Sequence, residues 1–288
     1  MNPKVSLVIG ILCISFSPIF VKLPVAPALT SGFYRIFIAW VCLAPYCFIK
    51  GKLKIGRKEL FIALLGGIVF ASDIAVWNLS LLKISATVST LLANLAPVWV
   101  GLFGYLLFKK RSGQLFWIGT FVAVIGMVIL VGYQHIIHLQ FNIGILLAVL
   151  ASVLYAIYIM ITSGILQKID TVTFMFYNML AASIFLLFIC GIEKNNLVNF
   201  QLSTWLCFLA MGLLCQLVGW LTINHSLRFL ESTKVSIALL SQTVFACFLA
   251  TLLLNEKLDI NEIIGSVIVL VGIAITFLKR NQSIKIVN

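Results

Sequence analysis

The chain contains ten apolar runs, most of them long enough to cross a lipid bilayer, and the short loops between them carry nearly all of its charges. A hydrocarbon core about 30 Å thick needs roughly 20 apolar residues per helix. Charged residues make up only 10% of the 288 positions, against roughly 25% in a soluble domain. Because a helix satisfies its own backbone in lipid, the sequence predicts an all-α integral membrane protein. The predicted spans are 5–21, 30–49, 60–82, 86–108, 114–131, 143–166, 171–191, 203–228, 233–254 and 261–278.

Lysine and arginine are distributed unequally between the two sets of loops. If the N-terminus is cytoplasmic, the cytoplasmic side carries 15 of the 20 and the opposite side carries 4, while Arg35 lies inside a span. Cytoplasmic loops are enriched in positive residues, so this bias predicts an N-in/C-in protein of the inner membrane. The net charge of +12 is therefore explained by topology, and no nucleic-acid partner is expected.

Residues 73–131 match residues 219–277 without a gap at an offset of 146. Phe33-Tyr34 also matches Phe176-Tyr177, at an offset of 143. The sequence therefore predicts two repeats, residues 1–138 with spans 1–5 and residues 139–288 with spans 6–10. Five spans is an odd number, so the second repeat is inverted, and such repeats place a binding site near the midplane. The identities are Asn78/Asn224, Ser80/Ser226, Leu81/Leu227, Thr87/Thr233, Val98/Val244, Leu106/Leu252, Leu107/Leu253, Gly119/Gly265, Gly126/Gly272 and Ile129/Ile275.

The glycine spacing in spans 5 and 10 indicates close helix packing. Gly119 and Gly126 share one helix face, as do Gly265 and Gly272, and small residues let two helix backbones approach. These faces either pack within the chain or form a homodimer seam. The seven cysteines all lie in apolar runs without CxxC spacing, which predicts buried side chains. The loop pair His135 and His138 is a weak metal signal, and neither a cofactor nor a metal is expected.

Three segments carry a resemblance to a known family. Asn255-Glu256-Lys257-Leu258, Ser80 to Thr87 and Tyr34-Arg35-Ile36-Phe37 resemble segments of the EamA family in the drug/metabolite transporter superfamily. The resemblance covers essentially the whole chain. It implies a ten-helix secondary transporter, in a family whose members move amino acids, metabolites such as S-adenosylmethionine, and drugs.

Asp73, near the middle of span 3, and Arg35, in the outer third of span 2, are the charged residues in the interior of the predicted spans. Asp73 is the one carboxylate in the interior of a predicted span, because the other seven acidic residues lie in loops or at helix ends. A charge there costs at least roughly 2.5–3.5 kcal/mol, so Asp73 should face a cavity or a partner. It is interpreted as a proton carrier, a site for a substrate cation, or half of a fixed ion pair. Arg35, with its planar fork, either clamps an anionic substrate group or permanently neutralises Asp73.

Two spans carry matching polar interruptions. Span 4 contains Asn94 and Pro97, and span 9 contains Ser241-Gln242-Thr243. Such matched interruptions point to a binding site, with Pro97 and Thr243 as hinge positions. The remaining polar or aromatic residues expected to line the cavity are Trp77, Tyr155, Tyr158, Asn178, Gln216 and Trp220.

These features favour a secondary transporter that works by alternating access between the two faces of the bilayer. A membrane enzyme would need paired catalytic groups, which the spans do not offer. A purely structural protein would not need matched polar interruptions. The expected solute is a small organic metabolite, an amino acid or a compound derived from one, with proton coupling as an option. The alternatives are a proton-coupled exporter of drugs or toxic organic cations and a carrier of S-adenosylmethionine-type nucleosides.

Overall fold

A computed structural model describes residues 1–22, 26–84, 86–109, 112–132, 142–254 and 259–278. Within them it contains ten helical spans and no strands, so the predicted all-helical architecture is confirmed. The helices are Pro3–Ser15 and Ser17–Lys22 in span 1, Ala28–Ile49 in span 2, Arg57–Leu81 in span 3, Ala86–Ala93 and Ala96–Phe108 in span 4, Gln114–Val131 in span 5, Ile143–Ile165 in span 6, Thr171–Ile192 in span 7, Leu202–Ala210, Met211–Gly219 and Trp220–Phe229 in span 8, Ser232–Ala238 and Ser241–Leu254 in span 9, and Ile260–Phe277 in span 10.

Three spans are interrupted near a polar residue or a proline. Span 1 breaks at Phe16 and resumes with Pro18 as its second residue, and span 4 breaks at Asn94 and Leu95, before Pro97. Proline cannot donate a backbone hydrogen bond but is tolerated in the first turn of a helix, which explains both restarts. Span 9 breaks without proline, and there the Ser241 hydroxyl donates to the carbonyl of Ala238 at 2.7 Å. Such back-bonding bends a helix.

Span 8 is continuous but changes its winding. Its central segment, Met211–Gly219, is a π-helix. The π-helix is rare and occurs often at functional sites. A glycine at or near each end of the π-helix lies against a neighbouring span. A Cβ on Gly212 would be 2.8 Å from Ile38 in span 2, and one on Gly219 would be 2.8 Å from Ile14 in span 1.

Spans 5 and 10 are held together through their glycine faces. A Cβ on Gly119 would lie 2.5 Å from the carbonyl oxygen of Gly272, and one on Gly126 would lie 2.9 Å from that of Gly265. Both pairs therefore bring the two backbones into direct contact within one chain, which is the first of the two expected arrangements. The same faces are consequently not free to form the homodimer seam considered as the alternative.

Spans 3 and 8 each pack against two spans from the other half of the chain. Span 3 packs against spans 6 and 7, and span 8 packs against spans 1 and 2. At the first of these crossings Gly66 and Gly67 approach Asn178 in span 7, and at the second Gly212 approaches Arg35 and Ile38 in span 2. Gly66 and Gly212 are 146 positions apart in the sequence, and Arg35 and Asn178 are 143 apart. The two crossings thus use positions related by the offsets that the sequence repeat predicts.

The outer surface of the bundle is apolar, as contact with lipid requires. Large side chains such as Phe61, Phe121 and Phe188 are exposed on it. The seven cysteines, all within the described residues, form no disulfides. Six of them are buried or half-buried, in spans 1, 2, 7, 8 and 9, while Cys42 is exposed, which differs from the expected burial because it lies on an outward face of span 2. His135 and His138 lie outside the described residues.

Candidate functional site

Arg35 presents hydrogen-bond donors that the protein does not use. The side chain is half-buried in span 2, and its Nη1 donates to the hydroxyl oxygen of Ser17 at 3.3 Å. Ser17 begins the second helix of span 1, directly after the break at Phe16. The Nε of Arg35 is buried and has no hydrogen-bond partner among the described residues. A buried donor without a partner costs about 1–3 kcal/mol, or more when it is charged. This edge of the guanidinium is therefore available for an anionic ligand.

Asp73 is half-buried in span 3 and lies outside every ion pair found among the described residues. Across the part of the chain that the structure describes, the ion pairs within 4.0 Å involve only Asp170 and Glu231 as acids. No hydrogen bond to the Asp73 carboxylate is present in that same part. Arg35 and Asp73 are nevertheless close enough for their charges to interact. The direct ion pair between them, one of the two arrangements left open by the sequence, is not formed.

Arg35 and Asp73 lie at similar depths in the bilayer. Arg35 is seven residues from the start of span 2 at Ala28, and Asp73 is eight residues from the end of span 3 at Leu81. These two helix ends face the same side of the membrane. At 1.5 Å per residue, both charges lie about 10–12 Å below that side. A guanidinium and a carboxyl group without direct contact thus lie at one level of the membrane interior.

Aromatic side chains from spans 3, 6 and 8 form a wall beside these charges. Trp220 packs edge-to-face on Tyr155, Tyr158 and Phe70, with ring centroids 6.2, 5.4 and 5.0 Å apart. Tyr158 and Trp220 are buried, whereas Tyr155 is half-buried and interacts electrostatically with both Arg35 and Asp73. Of the two tyrosines in this wall, Tyr155 is thus the one that interacts with Arg35 and Asp73, and Trp220 packs against its ring.

The interruptions of spans 4 and 9 meet each other. The side-chain nitrogen of Asn94 donates to the carbonyl of Thr90 at 2.9 Å and to the hydroxyl of Thr243 at 3.5 Å. Gln242 is half-buried beside this contact, and Pro97 is buried in the first turn of the helix that follows the break. The polar residues of the two broken helices thus form one contact between the halves of the chain.

The other expected lining residues differ in their surroundings. Trp77 is half-buried one helical turn after Asp73, so it lies on the same helix face. Gln216 is buried in the π-helix of span 8, and its side-chain oxygen has no hydrogen-bond partner among the described residues. Asn178 instead donates to the carbonyl of Ala63 at 3.4 Å, at the point where spans 3 and 7 cross. Its amide is engaged in helix packing, which favours a structural role over substrate binding.

Sequence reasoning missed Ser17 and the π-helix of span 8. Pro18 is the second residue of the helix that resumes span 1, and Ser17 is the first. The sequence signal for Ser17 is its position immediately before that proline. Gly212 and Gly219 bracket most of the π-helix, but glycine spacing does not distinguish π from α winding.

A model of the EamA-like transporter family matches two segments of the chain, residues 4–132 and 142–278. The chain belongs to this family. An uncharacterised transporter of Archaeoglobus fulgidus is 27% identical over 293 residues, which cover 98% of this chain and 100% of that protein. The uncharacterised transporter YdfC of Bacillus subtilis is 23% identical over 255 residues, covering 88% of this chain and 83% of the relative. This EamA-like protein is thus a multi-pass membrane transporter.

Two further comparisons concern the fold and a named solute. A protein crystal structure matches this EamA-like transporter with a TM-score of 0.81 at 16% identity, covering 96% of this chain and 97% of the other. A protein of Rickettsia felis named an S-adenosylmethionine uptake transporter is 22% identical over 153 residues, which cover 53% of this chain and 51% of the relative. The first supports the ten-helix fold alone.

Proposed function

We propose that this transporter carries amino acids, or metabolites derived from them, across the inner membrane by alternating access. The observation that carries the proposal is the unpaired arrangement of Arg35 and Asp73 at one depth in the membrane. A zwitterion would satisfy both groups, with its carboxylate on the free edge of the guanidinium and its ammonium on Asp73. Arg–carboxylate contacts are strong and directional because the planar fork forms two parallel hydrogen bonds.

A solute with a single charge fits this arrangement less well. An organic cation would gain from Asp73 but would be repelled by Arg35, and an anion would experience the reverse. The net charge of Arg35, Asp73 and the bound solute is zero in two cases. The solute is a zwitterion, or it is an anion that binds while Asp73 carries a proton. This electrostatic argument favours amino-acid-like solutes over the drug and organic-cation alternative.

A second candidate is S-adenosylmethionine, which the name of the Rickettsia felis relative suggests. This metabolite carries the same zwitterionic head group as an amino acid, with an additional sulfonium cation and an adenine ring. The half-buried ring of Tyr155, supported by Trp220, offers a face for aromatic stacking or a cation–π contact. The amino-acid head group is common to both candidates, so Arg35 and Asp73 have the same proposed roles in each.

The inverted repeat explains how one site would serve both faces, and several contacts support it. The family model matches one segment in each half. The glycine crossings of spans 3 with 7 and of spans 8 with 2 use positions related by the sequence offsets. The contact of Asn94 with Thr243 joins the interrupted helix of each half. Rocking of one half against the other about these contacts would expose the charged pair alternately to the two sides.

The test is solute uptake into proteoliposomes from a panel of amino acids, S-adenosylmethionine and organic cations, with and without a pH gradient. We expect zwitterions to be transported and simple organic cations to be excluded. If Asp73 carries the proton, a pH gradient drives accumulation in the wild type and has no effect on Asp73→Asn. Transport of organic cations with no transport of zwitterions would refute the proposed solute class.

A further inference from the structure

Two tyrosine hydroxyls connect the halves of the chain at opposite ends of the bundle. Tyr177, in span 7, donates to the carbonyl of Leu53 at 2.8 Å, in the loop between spans 2 and 3. Tyr34, in span 2, donates to the carbonyl of Leu197 at 2.6 Å, in the loop between spans 7 and 8. The first loop follows an even number of membrane crossings and the second follows an odd number, so they lie on opposite faces of the membrane.

The loops that accept these hydrogen bonds begin with the same backbone turn. Gly51 and Lys194 both have a positive φ, of 61° and 52°. The amide of Lys52 donates to the carbonyl of Cys47 at 2.9 Å, and the amide of Asn195 donates to that of Cys190 at 3.0 Å. Both are the left-handed terminations that commonly end helices.

The correspondence extends from the turns to the tyrosines. Cys47 and Cys190 are 143 positions apart, as are Tyr34 and Tyr177. The second turn is formed although Lys194 has a side chain, where the first uses glycine. The accepting carbonyls, of Leu53 and Leu197, are 144 positions apart, so the turns and the tyrosines match at one offset while the acceptor is shifted by one residue.

Each tyrosine contact has local reinforcement, but of a different kind. Beside Leu53, Asp170 pairs with Lys52 at 3.4 Å and with Arg228 at 3.8 Å, which ties the loop to the ends of spans 7 and 8. Beside Leu197, the hydroxyl of Thr30 donates to the carbonyl of Asn196 at 2.9 Å. One end is therefore reinforced by half-exposed ion pairs and the other by a second neutral hydrogen bond.

We propose that Tyr177 and Tyr34 are the gating residues of this transporter, each stabilising closure of one face. This inference rests on the proposed alternating-access function. Both contacts join different halves, so a movement that opens one face by separating a loop from the opposite half must break the contact at that face. Breaking it leaves the other contact intact, because that contact lies at the opposite end. The two hydroxyls thereby favour states in which at most one face is open.

The proposal predicts opposite effects for two chemically identical substitutions. Tyr177→Phe removes the hydroxyl at the Leu53 end, and Tyr34→Phe removes it at the Leu197 end, while both retain the ring. A hydrogen bond present in only one state shifts the equilibrium by about 2- to 10-fold. We expect Tyr177→Phe to favour opening at the Leu53 end by this factor, and Tyr34→Phe to favour opening at the Leu197 end.

Spin-label distances in lipid nanodiscs measure these equilibria without any solute. One label pair, Lys54→Cys with Lys168→Cys, reports the Leu53 end, and both positions are exposed. A second pair, Lys194→Cys with Ala28→Cys, reports the Leu197 end at exposed positions. Both are introduced into a background without the seven native cysteines. Tyr46→Phe is the matched control, because Tyr46 is an exposed tyrosine of span 2 on the lipid-facing surface.

The expected result is a larger population of long distances at the first end for Tyr177→Phe and at the second end for Tyr34→Phe, with Tyr46→Phe unchanged. Shifts at the same end for both variants, or no shift in either, would overturn the gating role. Because no solute is required, these distances are independent of the uptake panel. Opposite shifts together with no transport of any zwitterion would support the gates and refute the proposed solute class.

Discussion

The contact between spans 5 and 10 makes Gly272 a sensitive position for a single added methyl group. In Gly272→Ala the new Cβ would lie 2.5 Å from the backbone nitrogen of Ala123 and 2.6 Å from the carbonyl oxygen of Gly119. Both neighbours are backbone atoms of a regular helix, so they cannot rotate away. Relief requires the two helices to separate by about 1 Å, and overpacking of this kind costs about 1–3 kcal/mol.

The substitution also has a favourable effect that must be separated from the clash. Alanine is a better helix former than glycine by about 1 kcal/mol. Gly164→Ala supplies the control, because Gly164 lies in span 6 and a Cβ there would meet no atom within 4 Å. Because the gain in helix propensity is common to both substitutions, the clash alone predicts that Gly272→Ala is less stable than Gly164→Ala by about 1–3 kcal/mol.

Thermal unfolding in one detergent, followed by tryptophan fluorescence at one heating rate, compares the two variants. We expect Gly272→Ala to unfold at a lower temperature than the wild type and Gly164→Ala to unfold at the same or a higher temperature. Equal unfolding temperatures for the two variants would show that spans 5 and 10 are not in backbone contact at Gly272.

Two further substitutions separate packing from solute binding. Asn178→Ala removes the hydrogen bond to Ala63 between spans 3 and 7, so the free energy of unfolding should fall by about 1 kcal/mol. The apparent affinity for transported solute, measured by uptake titration, should stay unchanged. A loss of affinity with unaltered stability would return Asn178 to the binding site. Ser17→Ala removes the hydroxyl that holds Nη1 of Arg35, and we expect affinity to fall by about 2- to 10-fold, with recovery in Ser17→Thr. Equal affinities for Ser17→Ala and the wild type would exclude Ser17 as a positioning residue.

The bilayer explains why the sequence predicts the spans so well. Each apolar run must be long enough to cross the hydrocarbon core and must satisfy its own backbone, so run lengths alone define ten helices. Their ends are less well predicted. Span 3 was expected from residue 60 but begins at Arg57, because the charged first turn of this helix extends beyond the apolar core.

The neighbours of a residue inside the membrane are harder to infer. Lipid and protein interiors are both apolar, so the pattern of hydrophobic residues gives little indication of which face meets another helix. The sequence therefore identified Arg35 and Asp73 as buried charges but left their pairing open. It also grouped Asn178 with the polar lining residues. The repeat offset places Asn178 at the position of Arg35 in the other half, yet only the three-dimensional contacts show that its amide binds the backbone of span 3.

Arg35 is proposed to bind the carboxylate of a zwitterionic solute, and two solutes that differ in this group test that role directly. The measurement compares uptake of an amino acid with uptake of its neutral-carboxyl amide, in the wild type, in Arg35→Gln and in Arg57→Gln. Arg57 is an exposed arginine at the start of span 3, so it controls for the loss of a positive charge.

A charge-assisted hydrogen bond contributes about 1.5–3 kcal/mol. We therefore expect the wild type and Arg57→Gln to prefer the free acid by at least roughly 10-fold, and Arg35→Gln to lose this preference. Undiminished preference for the carboxylate in Arg35→Gln would contradict the account.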